Sequence, residues 1–304
     1  MPLDSDNIID RLRLKRRLTF WRIAAIFAVV VAIVAIYGRV GGSLGNDDFI
    51  ARVEVKGIIV QDDERILKIR KLAQNDSVKA VIVRIDSPGG TVVGGETLHN
   101  ALLALGEEKP LVAVMGGLAT SAAYMAAIAT DRLFARKGTL TGSIGVILQT
   151  TEITKLLGMM GVSARSFKSG SLKAMPSPFE PVTGEVEATT QALVADMYGM
   201  FRDMVIRRRN MQKADAEKFS DGRVFTGQQA LRAGLVDQIG GEEDARAWLV
   251  ERKNLSPDLK IRTVPIQPDA GSLFLQLISL ARKTILYERL TLDGLISLWQ
   301  PQAM

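Results

Sequence analysis

From residue 49 the chain alternates short apolar runs with amphipathic stretches. "FIARVEVKGIIV" (49–60) is β-branched and alternates apolar with polar positions, which predicts a strand. Residues 62–75 carry apolar positions at helical spacing, with Asp62 and Asp63 well placed at an N-terminus. The pattern repeats with a strand at "VKAVIVRI" (78–85), the turn "DSPGG" and a helix over 91–105. It repeats again with a strand at "PLVAVMG" (110–116), the turn "GLAT" and a short Ala-rich helix from Ser121. "DRLFAR" (131–136) reads as a strand and "GVILQT" (145–150) as another. A helix over 152–160 and a strand at "VSARSFK" (162–168) follow. Strand alternating with helix predicts an α/β fold with parallel pairing and right-handed crossovers. A long helix is expected over 184–210, with Arg207, Arg208 and Arg209 suited to its C-terminus. Beyond it come "DGRVFTGQQALRAGLVDQIGG", a helix from Glu242 to about Lys253, a strand in "DLKIRTVPI" and an amphipathic tail at 272–299.

One apolar stretch breaks this rhythm. Ile23 to Tyr37 reads "IAAIFAVVVAIVAIY", without a charge, and with Trp21 and Tyr37 at its ends it predicts a transmembrane anchor. Residues 1–22 form a basic tail with a surplus of three positive charges, half of the chain's net +6. Such a tail could bind nucleic acid, but placed just before an apolar span it predicts a cytoplasmic N-terminus instead. A cleaved signal peptide is the alternative. No clear cleavage site follows, and "YGRVGG" puts an arginine where one would fall. The Gly-rich "GRVGGSLGNDD" (38–48) reads as a linker. The remainder is expected to divide into a folded domain over 49–265 and the tail over 266–304, with everything beyond the anchor periplasmic or otherwise extracytoplasmic. The chain has no cysteine, which excludes a disulfide framework, a Cys-based zinc site and a thiol nucleophile.

Two turns carry candidate chemistry. "DSPGG" joins a strand to a helix, and its glycines permit close approaches that a Cβ would block. "GLATSAAY" also joins strand to helix, with Ser121 at the helix N-terminus, where backbone N–H groups point outward. In a parallel sheet both turns lie at strand carboxyl ends, the usual place for a site. A serine at one turn and N–H donors from both is the arrangement acyl transfer needs. Taken singly, Ser121 reads equally as a helix cap and the Gly-Gly turn as a turn. The only histidine, His99, lies on an amphipathic helix and reads as a helix-surface or helix–helix interface residue. Without it as base, lysine is the known substitute. A free lysine titrates near ~10.4, and lowering that by ~3 units means disfavouring the cation by about 4 kcal/mol through apolar burial. "KSGSLKAMPSPFEP" (168–181) offers Lys173 among apolar and proline residues, with Lys168 as the nearest rival.

Together these residues resemble the short bacterial form of signal peptide peptidase A, membrane-anchored serine proteases with a ClpP/crotonase-like fold. The matching segments are "DSPGG", "GLATSAAYMAA", "TLTGSIGV", "KSGSLKAMPSPF" and "DGRVFTGQQALRAGLVDQIGG", in family order over about residues 50–255. The resemblance implies a dyad of Ser121 as nucleophile and Lys173 as general base. It implies oxyanion donors at the Gly90 and Ala122 amides, and Ser143 orienting the lysine; by itself Ser143 reads equally as a turn residue. The "SAAY" after the nucleophile departs from the family's frequent glycines, which tightens the pocket. The resemblance further implies ring or dome homo-oligomers with the dyad shared between subunits. Apolar signal peptides are the implied substrate, binding as an added strand. No cofactor, metal or nucleic acid is implied. A crotonase-like acyl-CoA enzyme and an inactive anchored scaffold are the competing readings.

Overall fold

A computed structural model describes residues 48–266, Trp21 and the backbone of 296–298. The anchor expected at 23–37, the linker before Asp48 and most of the C-terminal tail lie outside the described residues. Among the described residues no helix is long and apolar enough to cross a membrane.

The strands are β1 (Phe49–Lys56), β2 (Val78–Ser87), β3 (Gly89–Thr91), β4 (Leu111–Thr120), β5 (Arg132–Ala135), β6 (Leu140–Gly142), β7 (Val224–Thr226), β8 (Gln238–Ile239), β9 (Lys260–Thr263) and β10 (Ile296–Leu298). The helices are α1 (Asp63–Ala73), α2 (Val92–Glu108), α3 (Ala122–Ala127), α4 (Thr154–Met159), α5 (Gly184–Arg209), α6 (Lys213–Phe219), α7 (Gly227–Arg232) and α8 (Glu242–Lys253). The sheet runs β7-β6-β4-β2-β1-β9, with β5 beside β4 and β8 beside β5. Its pairs are parallel apart from the β6–β7 pair. Alternation of strand and helix thus gives the parallel α/β arrangement it predicts. Besides β2, strand β4 serves two further neighbours on its other edge: residues 112–115 pair with β5 and 118–120 with β6. The sheet therefore splits at the carboxyl end of β4, immediately before Ser121.

Both sheet faces are covered. On one, Ala51, Val53, Val81 and Val83 pack against α1, α2, α3 and α5. On the other, Ile50, Ile82, Val112 and Phe134 pack against Ala245 and Leu249 of α8. Each fully buried Val, Ile or Leu contributes about 1.5–3 kcal/mol by removal from water. Helix ends follow local chemistry. Asp62 accepts the Arg65 N–H at the start of α1, and Thr226 and Gln229 form a reciprocal cap on α7. The arginines ending α5 reach other elements: Arg208 donates to the carbonyls of Ile128, Ala129 and Thr130 just after α3, and Arg209 pairs with Asp237 at 2.6 Å.

Two expected strands do not form. "VSARSFK" is irregular, and "GVILQT" holds a single bridge residue at Ile147. No residue between 145 and 185 is buried, and this stretch lies apart from the sheet. An alternating sequence becomes a strand only where another strand offers its N–H and C=O groups, and here the sheet offers none. "DSPGG" also departs from a plain turn. Strand β2 runs on through Ser87, and Gly89–Thr91 is itself extended.

Candidate active site

Ser121 sits between β4 and α3 with φ 57° and ψ −122°, and is 1% exposed. A serine that merely caps a helix is extended and accepts an N–H from the first turn. Ser121 is not extended, and its side chain makes no capping bond to α3. Its backbone is fixed on both sides: its N–H donates to the Gly142 carbonyl at 2.8 Å, and its carbonyl accepts the Met125 N–H at 2.9 Å. A non-glycine residue with positive φ stores strain and persists only where its surroundings impose it. Five non-glycine residues share that feature among the described residues. Asn210 and Asn254 end helices, where asparagine is tolerated; the others are Ser121, Ser143 and Ala174. The strained positions outside helix ends are thus two site residues expected from the sequence and the neighbour of a third.

The register of β4 and β6 brings Ser121 and Ser143 side by side. Thr120 pairs with Gly142, so the two serines follow paired residues on adjacent parallel strands. Ser143 is nearly buried, and its N–H donates to the Arg223 carbonyl at 2.9 Å. Ala122 opens α3, so its N–H has no carbonyl partner within the helix.

Gly90 reaches the same corner through a set of hydroxyls that local sequence patterns do not mark. Ser87 Oγ donates to the Gly57 carbonyl at 2.6 Å and accepts the Gly89 N–H at 3.1 Å. Thr120 Oγ1 donates to the Pro88 carbonyl at 3.0 Å, tying the Gly-Gly segment to the residue before Ser121. The Asp86 carboxylate accepts the Leu118 N–H at 3.1 Å. Thr91 N–H donates to the Ile59 carbonyl, while Ile59 N–H donates to Gly89. Successive residues of a strand turn their polar groups to opposite sides, so the N–H and C=O of Gly90 face away from Ile59. A Cβ on Gly90 would fall 1.8 Å from the Ile59 oxygen, so glycine is required for this approach. Gly95 has a similar reason: its Cβ would lie 2.8 Å from that of Ala122. Small residues on both helices let α2 press against the start of α3.

His99 is buried on α2, with Nδ1 2.6 Å from the Met125 carbonyl. Burial pushes its pKa down, assisted by the nearby Arg208 and Arg207 charges and opposed by the Met125 contact. Its Nδ1 is therefore engaged in joining helices. Tyr124, also on α3, is buried and donates its hydroxyl to the Leu235 carbonyl at 2.8 Å. "DGRVFTGQQALRAGLVDQIGG" thus buttresses the site through Arg223 and Leu235.

The candidate lysines lie in the exposed stretch. Lys168 pairs with the Glu180 carboxylate at 2.8 Å. Lys173 is exposed rather than wrapped in apolar side chains, and among the described residues its amine makes no hydrogen bond or ion pair. The structure therefore groups Gly90, Ser121, Ala122 and Ser143 and does not bond Lys173 to them. An open groove of about 890 Å³ lies elsewhere, between α1 and α2, lined by mixed charges such as Arg70, Glu96 and Glu108. None of its lining residues belongs to the site.

The profile of peptidase family S49 matches residues 104–256, half of the chain, and covers Ser121, Ser143 and Lys173. The chain belongs to peptidase family S49. Among its relatives, a Synechocystis protein whose name marks it as a protease by inference is 41% identical over 69% of this chain and 76% of its own length. The chloroplastic serine protease SPPA of Arabidopsis thaliana is 31% identical over 85% of this chain but 38% of its own length. Protease 4 of Haemophilus influenzae is 32% identical over 64% and 33%. The chain thus spans well under half of those two longer S49-related proteins. Among solved structures, a ClpP1 mutant of Listeria monocytogenes aligns at 18% identity, with TM-score 0.43, over 64% of this chain and 92% of its own.

Proposed function

We propose that this S49 chain is a serine endopeptidase with Ser121 as nucleophile and Lys173 as general base, built on a ClpP/crotonase-like scaffold. The observation that carries the reading is the backbone of Ser121: strained, bonded at both ends and not used as a cap. Neutral Lys173 takes the Ser121 hydroxyl proton as the oxygen attacks the scissile carbonyl. The Gly90 and Ala122 amides stabilise the oxyanion, at about 3 kcal/mol per donor. Lys173 returns the proton to the leaving amine, and water hydrolyses the acyl-enzyme. Ser143 orients the lysine amine.

Lys173 comes from a neighbouring copy in this reading. Its exposure in this chain supports that, as do exposed apolar side chains elsewhere in the same exposed stretch: Phe167 is 98% exposed, Met159 86% and Met160 67%. A lone chain gains nothing by holding such residues in water, whereas a neighbour's surface would bury them and desolvate the lysine. The substrates proposed are signal peptides left after preprotein processing, cleaved by an enzyme anchored through 23–37 with its catalytic part outside the cytoplasm.

The test is peptide hydrolysis by full-length protein. Ser121→Ala and Lys173→Ala should each lower kcat by about 10³-fold or more while leaving the thermal melt in place. Retained activity in folded Ser121→Ala would overturn the assignment.

A further inference from the structure

Strand β4 carries a bulge where it changes partners. Ile85 stands opposite Met115 and Ser87 opposite Ala119, so one residue of β2, Asp86, faces three of β4: Gly116, Gly117 and Leu118. Before this point β4 pairs with β5, and from Leu118 onward with β6. A bulge bends its strand and leaves the extra polar groups without ladder partners. Side chains take them up here. The Asp86 carboxylate accepts the Leu118 N–H at 3.1 Å. Thr139 Oγ1 donates to the Gly116 carbonyl at 2.7 Å and accepts the Arg136 N–H at 3.0 Å. Gly116 admits the carboxylate, since a Cβ there would fall 3.1 Å from Asp86 Cγ. Two extra residues keep the alternation of faces, so Met115 and Ala119 both remain in the same core. What changes is the level of the strand's end. In an unbulged ladder Gly117 would stand opposite Ser87, and Thr120 and Ser121 would lie two residues, about 6–7 Å, beyond their present place. The bulge therefore brings Thr120 level with Pro88 and Gly142, where its bond to the Gly-Gly segment and its pairing with β6 form.

We propose that Asp86 is a positioning residue of this peptidase: its carboxylate oxygen holds the Gly116–Leu118 bulge, and the bulge sets Ser121 at the height of the Gly90 and Ala122 amides. Asp86 acts through the backbone of β4 and takes no part in the proton transfers. This rests on the reading of Ser121 as the nucleophile. Asp86 is exposed, so water and salt screen its charge, and the role falls to the acceptor oxygen. Thr139 is buried and acts on the same bulge through the Gly116 carbonyl. A misplacement of about 1 Å between a nucleophile and its donors costs on the order of 10²-fold in rate, so a small relaxation of the bulge suffices to slow the chemistry.

The test is hydrolysis of an internally quenched apolar peptide by full-length protein. Asp86→Ala should lower kcat about tenfold or more, with KM within about twofold of the wild type. Asp86→Asn keeps an acceptor oxygen and should restore most of that loss. A residue serving stability alone would lower the melting temperature without this split between kcat and KM. Thr139→Val removes the other bond to the bulge and should give the same signature by a separate route, with Thr139→Ser restoring the rate. That second pair carries the test if Asp86→Ala fails to fold. Unchanged kcat in folded Asp86→Ala, or Asp86→Asn as slow as Asp86→Ala, would overturn the proposal. Ser121→Ala runs alongside. If it is inactive while Asp86→Ala matches the wild type, the peptidase reading stands and the positioning role alone fails. If Ser121→Ala hydrolyses the peptide, the nucleophile assignment fails and takes this role for Asp86 with it.

Discussion

At the residue scale, the site depends on hydrogen bonds between segments distant in sequence. Thr120 and Pro88 show this most clearly, since one 3.0 Å bond holds the Gly-Gly segment in line with Ser121. Thr120→Val keeps the shape but leaves the Pro88 carbonyl unpaired, at a cost of about 1–3 kcal/mol of stability. If Thr120 positions Gly90, kcat should also fall on the order of tenfold, with KM little changed. Thr120→Ser should restore both. Loss of stability alone, with kcat intact, would reduce Thr120 to a packing residue. Gly90 and Ser121 were legible in the sequence because turns constrain composition: "DSPGG" and "GLATSAAY" each had a local reason to exist. The bonds of Thr120 and Asp86 were not, because a hydrogen bond across 32 positions leaves no local pattern. The paired glycines at 94–95, inside a helical pattern, were the one available hint of a close helix approach.

At the element scale, strands with a partner formed where expected, and those without one did not. β1, β2 and β4 lie in the sheet's middle, where alternating or apolar β-branched sequence and available neighbours agree. "VSARSFK" has the pattern but no strand neighbour among the described residues. Sequence periodicity reports which faces could be buried and says nothing of what is there to bury them. The α2–α3 contact yields a test of its own through His99. Burial lowers its pKa, so the fold favours the neutral ring. The unfolded chain then binds the proton first as pH falls through about 6.5. The stability contributed by neutral His99 is full above that pH and is lost below it. Urea midpoints should drop more between pH 7.5 and 5.5 for the wild type than for His99→Gln. Equal drops would remove His99 from the account.

At the scale of the whole molecule, the described residues form a packed α/β core and an exposed stretch with exposed apolar side chains. The core carries Ser121 and its donors, and the exposed stretch carries Lys173. The sequence and the resemblance it carries named both residues of the proposed dyad and implied that they come from different copies; among the described residues the lysine makes no bond to the core. In the proposed reading, that division makes assembly a condition of activity. The most direct measurement mixes Ser121→Ala chains with Lys173→Ala chains, each inactive alone, and assays peptide hydrolysis after mixed assemblies have been isolated. A dyad shared between copies restores activity, since about a quarter of the sites in randomly mixed assemblies then combine an intact serine with an intact neighbouring lysine. Mixed assemblies that form but stay as inactive as their parents would contradict the account.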